Sequence, residues 1–547
     1  MDLLKSFRAA RQVSVPLIGI STYDQADVIK KLRAANEEGA KTAIPLYTWD
    51  IMNGLKNLNK PAEQALEKLL GSERKDWPKK TSNPASALGI MADLPGEVRE
   101  NGNGAIQVRG SIVFMLNAQR YFEDRGQSNT NAAVLQGIWN LRDLFKANRR
   151  TLVLLGPSFT FPPEIANDVI TIDMPLPTEE ELQGIIKAQV QDAGVKELSP
   201  ETQAQAVDAI RGLPSAFTAE QITAMSLTKE GLEVDSLWER KIVEFEKTQG
   251  LSIDRGTETF DDIGGLDAFK AFAMRLIKGN RCPLVFVRLD EIEKMLGGAG
   301  GNGGAADNTG VSQDALGVLL RYMEDEDWVG ILTPGVPGTG KSLVTKALAN
   351  TATQVTGKKA LSVALDLGAA KNSLVGASEK AIRDIMKRLK GLGGKRVCIL
   401  ATCNRLDVLP PELLSRFRLG RWYFDLPTAV EKKAIWKINL VKFKVSGPLP
   451  NDENWTGREI RNACDIASRL GCSVKEAAEY VVPVATSDPE SIDLLRAQAN
   501  GKFLSASYPG PFKVERYLSE RYSNGSVNGS EAPTTGRAVI AAKNEEV

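Results

Sequence analysis

The chain of 547 residues contains no histidine. That excludes imidazole acid–base catalysis and histidine-liganded metal sites. Any general base has to be a carboxylate, a lysine, a tyrosine or a thiolate. An excess of one charge sign is also lacking: 69 basic and 68 acidic residues leave a formal net charge of +1. The balance gives no whole-chain argument for nucleic acid or an acidic membrane surface. No apolar run is long enough to span a bilayer, and Met1-Asp2-Leu3-Leu4-Lys5 lacks the basic region and apolar stretch of a signal peptide. The cysteines Cys282, Cys398, Cys403, Cys464 and Cys472 show neither C-x-x-C nor zinc spacing. They read as buried thiols of a reducing compartment, so the expected location is cytoplasmic. What remains is 42% hydrophobic and 25% charged residues, a globular composition with length for about three to four domains.

One run carries chemistry on its face. Gly335-Val336-Pro337-Gly338-Thr339-Gly340-Lys341-Ser342 matches G-x-x-x-x-G-K-[ST], the phosphate-binding P-loop. Val329 to Leu332 reads as a short buried strand before it, and Leu343 to Ala349 as a helix after it. Backbone N–H groups of such a loop and helix start face the β- and γ-phosphates of a nucleotide. Pro337, Gly338, Thr339, Gly340 and Leu343 shape that cradle, Lys341 adds a point charge, and Ser342 offers a hydroxyl to Mg²⁺.

Hydrolysis needs a metal-holding carboxylate and a group that orients water. Leu284-Val285-Phe286-Val287 reads as a strand and leads to Asp290-Glu291, the pattern of a Walker B motif. Asp290 would hold Mg²⁺ and Glu291 would polarise the attacking water. A surface acidic pair is the plain alternative. Another apolar strand, Arg396 to Ala401, ends in Thr402-Cys403-Asn404 and is followed by a run through Pro410-Pro411-Glu412 to Arg416-Phe417.

Together these residues resemble AAA+ ATPases, and within them the AAA branch. The resemblance implies an α/β fold: a P-loop NTPase doubly wound parallel sheet with a helical lid. It implies ATP and Mg²⁺ as cofactors. It makes Asn404 the sensor 1 residue beside the γ-phosphate, and Arg416 the arginine finger reaching the ATP of a neighbouring subunit. Arg418 and Arg421 depart from the usual spacing of a second finger. Phe260-Asp261-Asp262-Ile263-Gly264-Gly265-Leu266 resembles the opening segment of AAA modules, with Ile263 and Gly264 against the adenine. Ser373 to Glu379 resembles the pore loop, with Leu374 where an aromatic is usual. Arg458, opening a helix in the expected lid, takes the sensor 2 position; a helix-surface charge is the alternative.

The order of these parts is unusual. In AAA modules the P-loop strand comes first and Walker B follows on the third strand. Here Asp290 precedes Gly335, and no second Walker B lies between the P-loop and Asn404. The block Asn280–Trp328 is exchanged with the block holding the P-loop, the second strand and the pore loop. In a doubly wound sheet each strand–helix unit starts and ends at the edge opposite the ligand. Exchanging two such units alters only connections on that far edge, and the crossovers can stay right-handed. A permuted chain order with the usual arrangement in space is therefore expected. The alternative is that the exchange impairs the module.

The first half repeats the rhythm without the equipment. Val13 to Ile20 reads as a strand followed by Ser21-Thr22-Tyr23-Asp24-Gln25, with no Gly-Lys-Ser. Ser111 to Leu116 ends in Asn117-Ala118 where Walker B would have Asp-Glu. Thr151 to Pro157 resembles a sensor 1 strand, Val169 to Pro177 a last core strand, and 178–250 is helical by periodicity. This is either a degenerate AAA-like module or an unrelated α/β domain. The whole layout resembles the Ycf-type tandem AAA ATPases of chloroplast genomes, cyanobacteria and phages. There a degenerate first module precedes an active second one.

The expected domains are 1–185 (degenerate module), 186–250 (lid and linker), 251–435 (ATPase core), 436–500 (helical lid) and 501–547 (extension). Gly297 to Gly310 reads as a flexible linker, and residues from about Ser523 as disordered by composition. The resemblance implies an enzyme: Mg²⁺-dependent ATP hydrolysis driving conformational work on a protein partner. A finger acting in trans implies a homo-oligomeric ring, most simply a hexamer. No membrane partner is expected, and balanced charge argues against nucleic acid. A nucleotide-gated scaffold with little turnover is the competing reading, and a DNA-replication or clamp-loading ATPase a third.

Overall fold

The computed structural model describes residues 2–37, 44–70, 77–94, 97–100, 106–122, 129–296, 311–366, 377–487 and 489–522. The chain forms two compact units, Met1–Lys241 and Ile242–Val547. Leu374, most of the pore-loop motif, the Gly297–Gly310 run and the tail from Ser523 lie outside the described residues.

The first unit opens with α1 (Leu3–Gln12), then β1 (Leu17–Ser21), α2 (Gln25–Glu37), β2 (Leu46–Asp50) and β3 (Gly54–Asn57). Further strands are β4 (Ile112–Met115), β5 (Thr151–Gly156) and β6 (Val169–Asp173). The sheet order is β3-β2-β4-β5-β1-β6, with β3 antiparallel and every other pair parallel. Leu17, Ile18, Phe114, Val153 and Leu154 are fully buried, as central strands covered on both faces require. Helices dominate from Glu179 to Glu246, with a small hairpin at Leu227–Leu232. The strand expected from Val13 begins four residues later. Val13 ends α1, Ser14 turns left-handed (φ 58°), and Pro16 leads into β1.

The second unit contains β7 (Leu251–Ile253), β8 (Val285–Leu289), α3 (Val311–Asp325), β9 (Val329–Pro334) and α4 (Lys341–Thr356). It continues with β10 (Leu361–Leu365), β11 (Val397–Cys403), α5 (Pro411–Arg416), β12 (Trp422–Tyr423), α6 (Ala429–Phe443), α7 (Gly457–Leu470) and β13 (Leu504–Ser505). The sheet order is β7-β10-β8-β11-β9, with β7 antiparallel and the rest parallel. Parallel bridges Leu332↔Arg421 and Gly335↔Phe424 bring the β12 segment alongside β9.

The two sheets therefore share one spatial plan. β12, β9, β11, β8, β10 and β7 occupy the places of β6, β1, β5, β4, β2 and β3. Only the chain order differs: β8, in the third-strand position, precedes β9, in the first. The exchange expected from the sequence is present, and the sheet absorbs it. Its new connection runs at the far edge, where Trp328 (1% exposed) is buried just before β9 and donates its indole N–H to the Gly394 carbonyl at 2.8 Å. Truncating a residue buried like this typically costs about 3–5 kcal/mol.

Of the cysteines, Cys398, Cys403 and Cys464 are buried, but Cys282 and Cys472 are only half-buried; all are free thiols. The segment that follows residue 500 packs onto the core. β13 pairs in parallel with β12, and Phe503, Tyr508, Phe512 and Tyr517 are buried. Arg496 and Asp425 form a buried ion pair at 3.0 Å, and Tyr517 donates to the Leu426 carbonyl. Aromatic residues spaced along 503–517 draw this segment onto the core. No helix among the described residues is long and apolar enough to cross a membrane.

Candidate functional site

The carboxyl ends of β8, β9 and β11 meet at one edge, where a cavity of about 560 Å³ opens. From β9 the chain enters the glycine-rich loop and then α4. Gly338 (φ 89°) is left-handed, and a Cβ there would stand 2.6 Å from Thr456 Oγ1 at the start of α7. Glycine is thus required where the loop passes under the lid. α4 begins after Gly340 with no side-chain cap. Its first-turn N–H groups have no intrahelical partners, which is the standard basis of an anion site at a helix start.

Lys341 lies inside this loop, 8% exposed. Its Nζ donates to the carbonyls of Gly335 (2.5 Å) and Val336 (3.0 Å) and to Asn404 Oδ1 (2.8 Å). Burial, the largest influence, pulls its pKa from 10.5 down to about 8. All three ammonium donors are engaged.

Across the cavity, Ser342 Oγ donates to Asp290 Oδ1 at 2.9 Å. Asp290 also contacts Arg288 and receives the Thr402 hydroxyl at 3.3 Å. Glu291 sits in the left-handed region (φ 54°), a conformation non-glycine residues adopt only when neighbours enforce it. Thr402 supplies much of that enforcement. Its Oγ1 accepts the Glu291 N–H at 2.9 Å, and its carbonyl accepts the Ile292 N–H at 3.0 Å. Glu291 pairs with Lys294 one turn on, and Asn404 Nδ2 reaches Glu291 Oε1 at 3.4 Å. Glu293 Oε1 accepts the backbone N–H of Asn404 at 3.0 Å, which fixes the end of β11.

The remaining wall comes from the opening segment and the lid. Ile263, Gly264 and Arg458 line the cavity with Pro337, Gly338, Thr339, Gly340 and Leu343. A Cβ on Gly264 would stand 2.6 Å from the Ile435 backbone nitrogen, so the segment lies directly on α6. Glu431 of α6 accepts the Leu266 N–H at 3.0 Å, and the Arg458 N–H donates to the Gly338 carbonyl at 3.3 Å.

Two residues named from the sequence stand apart. Gly335 lies beneath the cavity, where a Cβ would come within 2.1 Å of the Phe424 carbonyl oxygen. Its role is to let β9 pass β12. Arg416 ends α5, away from the cavity, and pairs with Glu324 of α3 at 2.9 Å. Arg418 pairs with Asp327 at 2.9 Å, and Arg421 lies over the Phe503 ring. Conversely, Thr402, Glu293, Glu431 and Thr456 were missed. Only Thr402, two residues before Asn404 on a buried strand, carried a legible signal: a polar side chain in an apolar run.

The first unit carries the same edge without these groups. The Thr22 N–H donates to the Gly156 carbonyl as the Gly335 N–H donates to Cys403, which fixes the correspondence of the loops. Five residues separate Gly335 from the start of α4, but only two separate Thr22 from the start of α2. There is no room for a phosphate cradle. Asn117 (φ 53°) takes the place of Glu291, with Leu116 in that of Asp290. Gln25 and Asn117 close on each other, Gln25 Nε2 donating to Asn117 Oδ1 at 2.9 Å.

No ready-made cage of three or more His, Cys, Asp or Glu side chains exists among the described residues. The hydroxyls of Ser342 and Thr402 and the Asp290 carboxylate instead form an open set of hard oxygens. That set fits Mg²⁺, which is usually held by one or two carboxylates together with substrate phosphates.

Comparison with known proteins points to AAA ATPases. Residues 3–174 match the family described as SpoVK-like AAA ATPase, N-terminal domain, and residues 331–393 match the ATPase family associated with various cellular activities (AAA). A Guillardia theta protein, "Uncharacterized AAA domain-containing protein ycf46", is 21% identical over 93% of this chain and 97% of its own. The Pyropia yezoensis protein of the same description is 22% identical over 93% of this chain and 100% of its own. The "Proteasome-activating nucleotidase" of Sulfurisphaera tokodaii is 30% identical over 28% of this chain and 50% of its own.

Proposed function

The chain is a member of the AAA ATPase family, of the Ycf type, and from that premise we propose that its second unit hydrolyses ATP with Mg²⁺ and couples turnover to conformational work on a protein partner. The observation that carries this reading is the approach of Ser342 Oγ to Asp290 Oδ1 at 2.9 Å across the exchanged blocks. The N–H groups at the start of α4 bind the phosphates, and Lys341 turns from the Gly335 and Val336 carbonyls toward them. Ser342 and Asp290 hold the cation, which when bound draws charge from the phosphate oxygens. Glu291 releases Lys294 and accepts a proton from the attacking water. Asn404, anchored through Glu293, orients that water. Ile263 and Gly264 lie against the base, and Arg458 carries lid movement to the phosphates.

Arg416 faces away from its own cavity, so we assign it to the site of a neighbouring copy in a homo-oligomeric ring. The relative named as a proteasome-activating nucleotidase supports a protein as the partner. The first unit, without a phosphate loop, would serve docking rather than turnover.

A second reading rests on the pairing of Asp290 with Arg288 and of Glu291 with Lys294. If both pairs persist with nucleotide bound, the unit is a nucleotide-gated scaffold. ATPase activity over a protein concentration series, with Lys341→Ala alongside, separates the two. Turnover that rises with concentration and vanishes in the variant supports the ATPase. Nucleotide binding without turnover supports the scaffold.

A further inference from the structure

We propose that the first unit binds a small organic oxyanion, a carboxylate or a phosphate ester, in a cavity at the edge of its sheet opposite the vestigial loop, with the half-buried Arg11 as the anchor and the exposed Arg8 and Arg149 at the rim. The cavity measures about 600 Å³ and lies at the amino-terminal ends of the parallel strands, between α1 and α2. Its inner wall is apolar, formed by Phe7, Leu32 and Ile112.

The charge balance of this cavity points to a ligand. Arg11 Nη1 donates to the Arg149 carbonyl and to Thr151 Oγ1, both at 2.8 Å and both neutral acceptors. Among the described residues no carboxylate pairs with Arg11, Arg8 or Arg149. The acidic side chains of the two walling helices are already engaged. Asp2 caps α1 through the Leu4 N–H, Asp27 pairs with Lys31, and Glu37 pairs with Arg33. A guanidinium partly withdrawn from water, held by neutral acceptors and without a counter-charge, is an arrangement that a bound anion would relieve. Burial alone lowers the Arg11 pKa, to about 10. Its place in the last turn of α1 offsets only part of that cost through the helix dipole. Arg8, one turn earlier, lies on the same face of α1.

The backbone is held unusually at the same rim. Ser14 (φ 58°) and Arg149 (φ 54°), both lining the cavity, are left-handed although neither is glycine. Such conformations persist where surroundings enforce them and gather at ligand sites. A Cβ on Gly110 would overlap the Arg149 carbonyl oxygen at 1.5 Å, so only glycine lets that carbonyl turn toward Arg11.

The test uses the full chain in 150 mM NaCl with saturating MgADP, which occupies the nucleotide cavity of the second unit. Equilibrium dialysis measures labelled inorganic phosphate and labelled decanoate separately, against Arg11→Met and Arg8→Gln. The expected result is saturable binding of at least one probe at one site per chain. Affinity should fall at least tenfold in Arg11→Met and about threefold in Arg8→Gln, with ADP affinity unchanged. Phosphate binding alone identifies a phosphorylated ligand, and decanoate binding alone a carboxylic acid. Should Arg11→Met fail to fold, Arg8→Gln decides, because the Arg8 side chain is exposed. Absence of saturable binding by both probes, or binding unaltered in the folded variants, would overturn the proposal.

Discussion

Ser342 and Asp290 are hydrogen-bonded at 2.9 Å although Asp290 comes first in the chain. In this sheet β8 and β9 are not neighbours; β11 stands between them and aligns their carboxyl ends. Removing either partner should therefore impair one shared function. Ser342→Ala and Asp290→Asn are each expected to weaken Mg²⁺-dependent ATP binding by about tenfold, a loss near 1.4 kcal/mol. The double variant should be little worse than the weaker single one, as for coupled residues. Titration of fluorescent ATP against Mg²⁺ measures both; additive losses would refute the coupling.

Glu291→Gln should bind ATP as the parent does and lose turnover by roughly 100-fold or more, the range for removing a positioned general base. Steady-state hydrolysis together with nucleotide affinity checks this. Normal turnover would sink the assignment.

Thr402 is 3% exposed and holds Asp290 and the Glu291 backbone with one hydroxyl. Thr402→Val preserves shape and removes both contacts. We expect kcat to fall about tenfold or more with KM nearly unchanged, and Thr402→Ser to restore it. A purely structural role would instead lower Tm in both variants.

The pH dependence follows from Lys341. Its folded-state pKa is depressed to about 8 from 10.5, so the empty site binds fewer protons than the unfolded chain between those values. This group's burial penalty is complete below about pH 8 and is relieved as pH rises toward 10.5, a window in which its contribution to stability increases. Nucleotide affinity moves the other way. It should fall above about pH 8, by at most about tenfold per pH unit, as the cation is lost. Affinity measured from pH 7 to 9.5 tests the sign, and a flat profile would mean that Lys341 stays charged throughout.

Arg496 and Asp425 form a buried pair that ties the C-terminal segment to the core. Arg496→Leu leaves a buried carboxylate alone and is expected to lower stability by about 3–5 kcal/mol. Urea unfolding of the parent and variant gives the difference directly.

The local parts of the site were legible because each is a short run with its own chemistry. Gly335 to Ser342 carries a phosphate loop in its spacing, and Asp290-Glu291 follows an apolar strand. The spatial plan was legible too, since strand–helix units can be reordered without moving the ligand edge. What escaped were contacts made at a distance along the chain. Glu293 supports Asn404, Glu431 supports the opening segment and Thr456 meets Gly338, and no periodicity reports such pairings. The start of β1 was misread because Val13 looks apolar in sequence, while Ser14 turns the chain before the sheet begins. The return of β13 to β12 was hidden because Trp422 and Leu504 pair across a long stretch of chain, which no local pattern reports.

The place of β11 bears on how the second unit is born. As the chain leaves the ribosome, β8 emerges first and β9 next, yet neither pairs with the other. Each is an apolar strand awaiting the same late partner, and the two halves of the nucleotide edge join only when residues 397–403 arrive. The strand order, shared with the first unit, thus keeps two strand edges open while at least the 62 residues between Pro334 and Val397 are synthesised, at about 5–20 residues per second. Nascent chains halted before Val397 should be protease-sensitive throughout this unit, and those released beyond Cys403 should become resistant.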